Sequence, residues 1–301
     1  MSVHPEIAAF LSTLPPSDAT PPDVAGWRAM GESHLPPLEE RLPLFDVEDT
    51  FAETVPIRIY TPANAASFGV LVYFHGGAFF SGSLETHDGI ARSISDASGY
   101  KVISVGYRLA PEAQFPAGLD DCYSVVKWVV DNASYLKWDR NRLALAGDSS
   151  GGNFVAATTG LAQDQGFDAI TQQILLYPSV DLDFDLDRYP SLTENAVGKG
   201  LETITLKPFN SYYINSGANP DDHRVSPIKR ASFAGLPEAF VVTAENDPLR
   251  DEGELYAQRL QDAGVSTKLM RYEGATHGFV QYFAWLPEYS SIFQEIARFL
   301  K

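Results

Sequence analysis

A serine, an acid and a histidine, the side chains that together perform acyl transfer, follow one another in the second half of the chain. Ser149 lies in Gly147-Asp-Ser-Ser-Gly151, after the apolar run 143–146 and before a helical pattern. A serine on a sharp strand-to-helix turn needs small neighbours, because the turn crowds the flanking residues, and the turn exposes its Oγ. A frame centred on Ser150 would need glycine at position 148, which is Asp148. Ser149 is therefore the candidate nucleophile.

The histidine is predicted from chain order. A serine hydroxyl is a weak nucleophile at neutral pH and needs a base and an orienting acid, which in a strand–turn–helix hydrolase follow in the order Ser, acid, His. His223 and His277 come after Ser149. His277 directly follows a strand pattern, where a loop can reach the turn, whereas His223 lies in a long insertion and is expected to be a solvated surface residue. We therefore predict His277 as the base.

Three carboxylates compete for the role of the acid. Asp247 follows the apolar run 240–244, at the carboxyl end of a strand, where α/β sheets place ligand-binding residues. Glu245 precedes the apex of this loop, and Asp251 suits the first turn of the next helix. The spacing favours Asp247, and Glu245 and Asp251 stay open as alternatives.

The turn around His75 provides candidate oxyanion donors. His75-Gly76-Gly77-Ala78 ends an apolar strand pattern, and glycines there let backbone N–H groups approach a substrate oxygen. Together with the N–H of Ser150 they can form an oxyanion hole, which stabilises the negative charge of a tetrahedral intermediate. The spacing does not decide which two of Gly76, Gly77 and Ala78 face the oxyanion. His75 itself is expected to hold the loop rather than to transfer protons.

The elements that must position these residues are strands alternating with helices. Apolar runs rich in β-branched and aromatic residues predict strands at 55–60, 69–74, 101–107, 143–146, 173–177, 239–244 and 268–272. Helical patterns between them include 120–132, 153–162, 254–263 and 290–300. Near-continuous apolar strands separated by helices predict an α/β fold with a mostly parallel sheet covered on both faces.

Two segments do not fit this alternation. The N-terminal residues 1–46 read as short helices interrupted by prolines, and about sixty residues separate the strand patterns at 173–177 and 239–244, far more than a crossover needs. We therefore expect one core, built from residues 47–180 and 233–301. A helical cap over it would combine residues 1–46 with the insertion 181–232.

Composition limits the partners. The chain has 301 residues, with 22 Lys and Arg against 39 Asp and Glu, a formal charge of −17. Such a field repels polyanions, and no basic block is present, so neither nucleic acid nor an anionic membrane is an expected partner. Cys122 is the single cysteine, which excludes an internal disulfide, and residues 1–14 lack the pattern of a signal peptide. We predict a cytoplasmic protein that is a monomer or a homodimer.

The acidic run 181–187 invites a calcium hypothesis, which its spacing opposes. Counted from Asp183, the sixth loop position should be glycine for the sharp turn but is Arg188, and Pro190 occupies the eighth. Lys199, between two glycines, lacks the flanking residues of a phosphate-binding loop. Neither a metal nor a cofactor is expected.

Four blocks in order resemble a bacterial member of the hormone-sensitive-lipase-like family of α/β-hydrolase esterases. They are HGGAF at 75–79, YRLAPE with FPA at 107–117, GDSSGGN at 147–153, DPLRDEG at 247–253 and, with the last, HGF at 277–279. The resemblance implies that Ser149 is the nucleophile, His277 the general base and then acid, and Asp247 the group that orients the imidazole. It places the oxyanion hole at the backbone N–H groups of the 75–78 loop and of Ser150.

The same resemblance implies a carboxylesterase that cleaves small, short-chain esters without a cofactor, and the net charge of −17 favours neutral esters over anionic ones. The chain departs from the family pattern at Ala78, where a third glycine is usual, and at Ser150, where alanine is usual. Both residues keep their N–H, so we expect a changed pocket shape more than a lost activity. A ligand-binding, receptor-like protein is the competing hypothesis, and an amidase, thioesterase or lactonase would use the same triad.

Overall fold

One eight-stranded sheet carries the fold in the computed structural model, which describes residues 2–14, 20, 23–33 and 35–301. Its strands are β1 (Asp46–Ala52), β2 (Val55–Thr61), β3 (Phe68–Phe74), β4 (Lys101–Val105), β5 (Trp138–Asp148), β6 (Gln172–Leu176), β7 (Glu238–Asn246) and β8 (Thr267–Thr276). The spatial order is β1-β2-β4-β3-β5-β6-β7-β8, with two antiparallel pairs at the β1 edge and parallel pairing from β4 to β8. The prediction of a mostly parallel α/β sheet is confirmed.

Helices cover both faces of this sheet. Within the same ranges they are α1 (Pro5–Leu11), α2 (Val24–Glu32), α3 (Asp88–Ser98), α4 (Ala117–Asp131), α5 (Ala133–Leu136), α6 (Ser150–Asp164), α7 (Pro190–Glu194), α8 (Thr203–Ile214), α9 (Arg250–Asp262), α10 (Phe279–Tyr282) and α11 (Ile292–Phe299). The four helices predicted in the core coincide with α4, α6, α9 and α11, with bounds shifted by one to four residues. None of the helices in the described ranges combines the length and apolar character that crossing a bilayer requires.

Strand β3 explains why the sheet is buried on both sides. All seven of its residues are buried, and alternate side chains point to opposite faces. Val70, Val72 and Phe74 pack in the core cluster with α4 and α6, while Leu71 and Tyr73 pack in the cluster with α3 and α11. A strand covered on both faces favours the uninterrupted apolar run that the sequence shows.

One strand was missed, and several predicted strand ends need correction: β5 already begins at Trp138 and β8 continues to Thr276. Strand β1 was not predicted, because its sequence, DVEDTFA, carries acidic and exposed residues; it lies at the sheet edge and pairs with β2. The predicted strand 101–107 is too long, since β4 ends at Val105. Val105 pairs with Phe74, and beyond this pair the segments that follow β3 and β4 leave the sheet as loops. These loops lie at the carboxyl edge of the parallel strands.

The insertion between β6 and β7 contacts the N-terminal helices. Phe209 of α8 packs edge-on against Trp27 of α2, with ring centroids 5.1 Å apart, and both rings contact Phe80. Tyr213 of α8 stacks on Phe79 at 4.1 Å. The division into core and cap stays a prediction, and these aromatic contacts give it a physical basis. The prolines at 15, 16, 21 and 22, predicted to interrupt the helices, and His34 lie outside the described residues.

Candidate active site

Ser149 lies between β5, which ends at Asp148, and α6, which begins at Ser150. Its backbone has φ 55° and ψ −119°, a conformation that costs free energy for a residue with a side chain and persists where the surroundings hold it. Its N–H donates to Leu176 O at 2.9 Å, and its carbonyl accepts from Ser179 N at 3.1 Å. The neighbouring strand β6 thus fixes the strained turn that exposes the hydroxyl.

The turn around Ser149 requires glycine at positions 147 and 151, because a side chain there would collide with the backbone. A Cβ at Gly151 would lie 2.0 Å from Phe74 O, and one at Gly147 would lie 2.4 Å from Gly151 O. Real side chains do not approach backbone oxygens so closely, so β3, β5 and the start of α6 could not keep their positions. The spacing argument that selected Ser149 over Ser150 therefore rests on a real steric limit.

The structure brings Ser149, His277 and Asp247 together. His277 Nε2 lies 2.8 Å from Ser149 Oγ, and His277 Nδ1 lies 2.8 Å from Asp247 Oδ2. With the Nδ1–H donated to the carboxylate, Nε2 is left as the acceptor for the serine hydroxyl. The Asp247 side chain is fully buried, and its Oδ1 accepts from Leu249 N at 2.9 Å. The carboxylate is thus fixed where it holds the imidazole in one tautomer.

The other candidates from the sequence bind elsewhere. Glu245 accepts from Gly274 N at 2.8 Å and so fastens the turn before His277, and Asp251 accepts from Ser191 N at 2.7 Å. His223 lies at the surface, with Nε2 3.1 Å from Asp164 Oδ2. Of the three acids left open by the sequence, it is Asp247 that contacts His277.

The loop of residues 76–79, which we call the oxyanion loop, has an unusual backbone. Gly77, Ala78 and Phe79 have φ values of 124°, 49° and 65°, three consecutive residues with positive φ. Gly76 N–H donates to Asp148 Oδ1 at 2.9 Å, and Phe79 N–H donates to Ser150 Oγ at 3.3 Å. In the part of the chain that the structure describes, the N–H groups of Gly77 and Ala78 have no hydrogen-bond partner. They are the two loop donors left for a ligand oxygen.

His75 has the environment of a structural residue. Its ring stacks on Tyr107 at 4.2 Å, its Nδ1 lies 2.8 Å from Gly76 O, and Tyr107 donates to its carbonyl at 2.6 Å. Complete burial lowers the pKa of His75 to about 3, so the ring is neutral at physiological pH. This environment agrees with the expectation that His75 holds the loop.

Asp148 ties the nucleophile turn to the oxyanion loop. Besides Gly76 N–H, its Oδ1 accepts from Tyr73 OH at 2.6 Å, and its Oδ2 lies 3.5 Å from His87 Nε2. Burial alone would raise the pKa of Asp148, but the neighbouring His87 ring and these hydrogen bonds lower it below its usual value. The residue is therefore a buried carboxylate.

Several residues near the site were missed by the sequence analysis. The Tyr177 ring packs edge-on against His277, with centroids 5.0 Å apart, and burial raises the pKa of its hydroxyl well above the ordinary value. From the insertion, Asn195 donates to Asp247 O at 3.1 Å, and Lys199 Nζ donates to Asn246 Oδ1 at 3.0 Å. Tyr177 follows β6, so its place at a parallel strand's carboxyl end was the available signal. For Asn195 and Lys199 the sequence carries none.

The acidic run 181–187 is partly neutralised by basic side chains. Arg188 lies 2.5 Å from both Asp181 and Asp183, and Lys229 lies 2.6 Å from Asp183. Among the described residues, no three His, Cys, Asp or Glu side chains are arranged to hold a metal ion. The carboxylates of Asp181 and Asp183 are therefore engaged in ion pairs within the insertion.

Known proteins are similar to this chain over most of its length. A family model described as an α/β-hydrolase fold matches residues 71–281. The chain is 37% identical over 296 residues to the carboxylesterase NlhH of Mycobacterium tuberculosis, covering 95% of this chain and 91% of that protein. It is 41% identical over 229 residues to an arylesterase of Saccharolobus solfataricus, covering 75% and 73%.

Solved structures show the same likeness. A hyperthermophilic esterase from Pyrobaculum calidifontis superposes with a TM-score of 0.90 at 35% sequence identity, covering 100% of this chain and 98% of that one. The family match spans more than half of the chain, and the relatives named as esterases match it across most of their length. The chain therefore belongs to the hormone-sensitive-lipase-like branch of the α/β-hydrolase family and is a carboxylesterase.

Proposed function

We propose that this carboxylesterase cleaves small, neutral, short-chain esters through an acyl-enzyme on Ser149. The observation that supports this most is the continuous arrangement of Ser149, His277 and Asp247, joined by two contacts of 2.8 Å. A nucleophile, a base and an orienting acid within hydrogen-bonding reach are the geometric requirement for serine acyl transfer.

The first half of the reaction forms the acyl-enzyme. His277 Nε2 takes the proton of Ser149 Oγ as the oxygen attacks the ester carbonyl carbon, and the carbonyl oxygen becomes an oxyanion. The tetrahedral intermediate collapses when the carbon–oxygen bond to the alcohol breaks, and the imidazolium gives its proton to the leaving alkoxide. Asp247 stabilises the imidazolium by charge and keeps Nε2 directed at the serine.

The second half repeats these steps with water. His277 takes a proton from the water, the hydroxide attacks the acyl carbon, and the carboxylic acid leaves as Ser149 Oγ recovers the proton. The oxyanion of both intermediates is bound by the N–H groups of Gly77, Ala78 and Ser150. Gly76 is not a donor to the oxyanion, since its N–H is occupied by Asp148. Loss of one such donor in a serine hydrolase costs about 3 kcal/mol of transition-state stabilisation.

The preference for short acyl chains is supported by the bulk beside the oxyanion loop. Phe79, Tyr213 and Phe154 pack against one another and are almost completely buried. A long acyl chain directed past this loop would have to displace aromatic rings that already fill the space. The name of the arylesterase relative further supports aryl esters as substrates of this chain.

The experiment is a panel of p-nitrophenyl esters from acetate to palmitate, with an anilide and a thioester of the preferred acyl group alongside. The proposal predicts the highest kcat/KM for acetate to butyrate and no measurable turnover by Ser149→Ala. The variant Ser95→Ala is the matched control, because Ser95 is a buried serine that binds the carbonyl of Tyr100 in another layer of the fold. Preferred turnover of the anilide or thioester would favour an amidase or thioesterase instead. Tight binding of an ester by the wild type without turnover would favour the receptor-like hypothesis.

A further inference from the structure

The two residues on either side of the nucleophile both hold the oxyanion loop. Asp148 Oδ1 accepts from Gly76 N–H at 2.9 Å, at the beginning of the loop, and Ser150 Oγ accepts from Phe79 N–H at 3.3 Å, at its end. Asp148 and Ser150 are 2% and 1% exposed, so water does not compete for these bonds. The loop is therefore fastened at both ends to the turn that carries Ser149.

The loop needs such fastening because its backbone is strained. Ala78 and Phe79 have φ values of 49° and 65°, a region that residues with a Cβ rarely adopt. Two consecutive residues of this kind persist when neighbouring groups over-determine their conformation. Without a bond to its N–H, Phe79 could relax towards negative φ. This rotation would turn the peptide between Ala78 and Phe79.

Other contacts hold the carbonyl and side-chain side of the same segment. Phe79 O accepts from Ala110 N at 3.0 Å, and the Phe79 ring stacks on Tyr213. Phe80 O accepts from Arg28 Nε at 2.7 Å. The Ser150 hydroxyl is the acceptor that the structure gives to the buried N–H of Phe79. Alanine at position 150 would leave this N–H without a partner, which is costly in a buried backbone.

We propose that the Ser150 hydroxyl and the Asp148 carboxylate are positioning residues, which hold the strained oxyanion loop so that the N–H groups of Gly77 and Ala78 stay directed at the oxyanion. The strain at Ala78, next to that at Phe79, contributes to the requirement for the Ser150 hydroxyl. Glycine at position 78 would adopt the same φ without a steric cost, and the loop would then depend less on the hydroxyl. Positions 78 and 150 are thus energetically coupled. This inference rests on the proposed acyl transfer by Ser149.

A double-mutant cycle tests the coupling. The variants are Ser150→Ala, Ala78→Gly and the double variant, with Ser95→Ala as the matched control for loss of a buried hydroxyl. Ser150→Ala keeps the backbone N–H of residue 150, so its effect reports the hydroxyl and not the donor itself. For each variant, kcat and KM for p-nitrophenyl acetate are measured, together with the inhibition constant of a trifluoromethyl ketone, which forms a tetrahedral oxyanion adduct with the serine.

The proposal predicts that Ser150→Ala lowers kcat about tenfold or more, while KM stays within about twofold, because the oxyanion forms after substrate binding. The trifluoromethyl ketone should bind more weakly by the same factor as kcat falls. In the Ala78→Gly background, Ser150→Ala should lower kcat by a clearly smaller factor. Ser95→Ala should leave kcat, KM and the inhibition constant unchanged. A merely structural role of Ser150 would lower the melting temperature without this parallel loss in kcat and inhibitor affinity.

Equal losses in the two backgrounds would overturn the coupling, and an unchanged kcat for Ser150→Ala would overturn the positioning role. Both results leave the proposed function intact as long as Ser149→Ala is inactive, whereas an active Ser149→Ala would refute the proposed function instead. If Ser150→Ala does not fold, Ser150→Cys preserves the side-chain size with a much weaker acceptor and gives the same readouts. Asp148→Asn, which keeps an oxygen towards Gly76 N–H, should retain more kcat than Asp148→Ala; equal losses would remove Asp148 from the proposal.

Discussion

The Nδ1 atom of His277 lies 2.8 Å from Oδ2 of Asp247, a carboxylate with no exposed surface. A buried carboxylate in this contact fixes the tautomer of the imidazole and stabilises its protonated form. Since Leu249 N–H binds the other oxygen, the carboxylate cannot rotate freely. In the neutral imidazole, donation from Nδ1 to Asp247 leaves Nε2, 2.8 Å from Ser149 Oγ, as the acceptor for the serine hydroxyl.

We expect Asp247→Asn to lower kcat at neutral pH by a factor of about 10³–10⁴, because an amide donates to Nδ1 and forces the proton onto Nε2. KM should change little, since Asp247 does not touch the substrate. Steady-state kinetics with p-nitrophenyl acetate measures both constants, and Asp251→Asn serves as the control because Asp251 binds the insertion. A stronger loss in Asp251→Asn than in Asp247→Asn would show that the acid has been assigned to the wrong residue.

Acid should destabilise the protein partly through His75. Burial lowers its pKa in the folded state to about 3, below the ordinary histidine value of 6.5, so between these pH values the unfolded chain binds a proton that the folded chain does not. The stabilisation from a neutral His75 is thus complete above about pH 6.5 and is lost as the pH falls towards 3, by about 1.4 kcal/mol per pH unit. In His75→Asn the free energy of unfolding should be lower at neutral pH but should fall less steeply. Urea unfolding at about pH 7 and pH 5 measures the free energy of unfolding of both proteins. If this free energy falls by the same amount in the wild type and in His75→Asn, the burial of a neutral ring at position 75 is contradicted.

The two glycines at positions 151 and 89 should respond oppositely to alanine. At Gly151 the new Cβ would lie 2.0 Å from Phe74 O, so we expect a loss of several kcal/mol in unfolding free energy together with the activity. At Gly89, within the exposed side of α3, no atom lies within 4 Å of the new Cβ, and alanine should stabilise the helix by up to about 1 kcal/mol. Melting temperatures and esterase rates measure both effects. A stable, active Gly151→Ala would refute the close packing of the nucleophile turn on β3.

The formal charge of −17 should make turnover of anionic esters depend on salt. A negative field lowers the local concentration of an anionic substrate, and salt screens that field. The kcat/KM for a p-nitrophenyl hemisuccinate should therefore rise between about 20 mM and about 500 mM sodium chloride, while that for p-nitrophenyl butyrate should stay nearly constant. If the anionic ester is preferred at low salt, the local field at the site is positive despite the net charge.

The sequence was informative where a local pattern determines the structure. The uninterrupted apolar run of β3 reflects burial on both faces, and the glycines beside Ser149 reflect one crowded turn. Strand β1 was not predicted because its acidic residues do not give the apolar pattern of a strand. It forms at the sheet edge by pairing with β2. The spacing favoured Asp247 and left Glu245 open, and the contacts in the fold separate the two, since Asp247 contacts His277 whereas Glu245 accepts from Gly274 N–H.

The oxyanion loop shows the limit of local reasoning most clearly. Its sequence offers three neighbouring N–H groups and no means to rank them. In the fold, Asp148 occupies that of Gly76, a contact between residues 72 positions apart, and so leaves those of Gly77 and Ala78. The edge-on contact of Tyr177 with His277 likewise depends on the order of strands in the sheet. Tyr177 follows β6 and His277 follows β8, and these two strands lie on either side of β7.

The most direct test of the central claim is covalent trapping of the nucleophile. A p-nitrophenyl alkylphosphonate that inactivates the esterase should release one equivalent of p-nitrophenol per chain. Mass spectrometry of the digested protein should find the phosphonyl group on Ser149 and not on Ser150, and Ser149→Ala should release none. Complete inactivation with the adduct on another residue, or stoichiometric release by Ser149→Ala, would contradict the assignment of Ser149 as the residue that carries the acyl group.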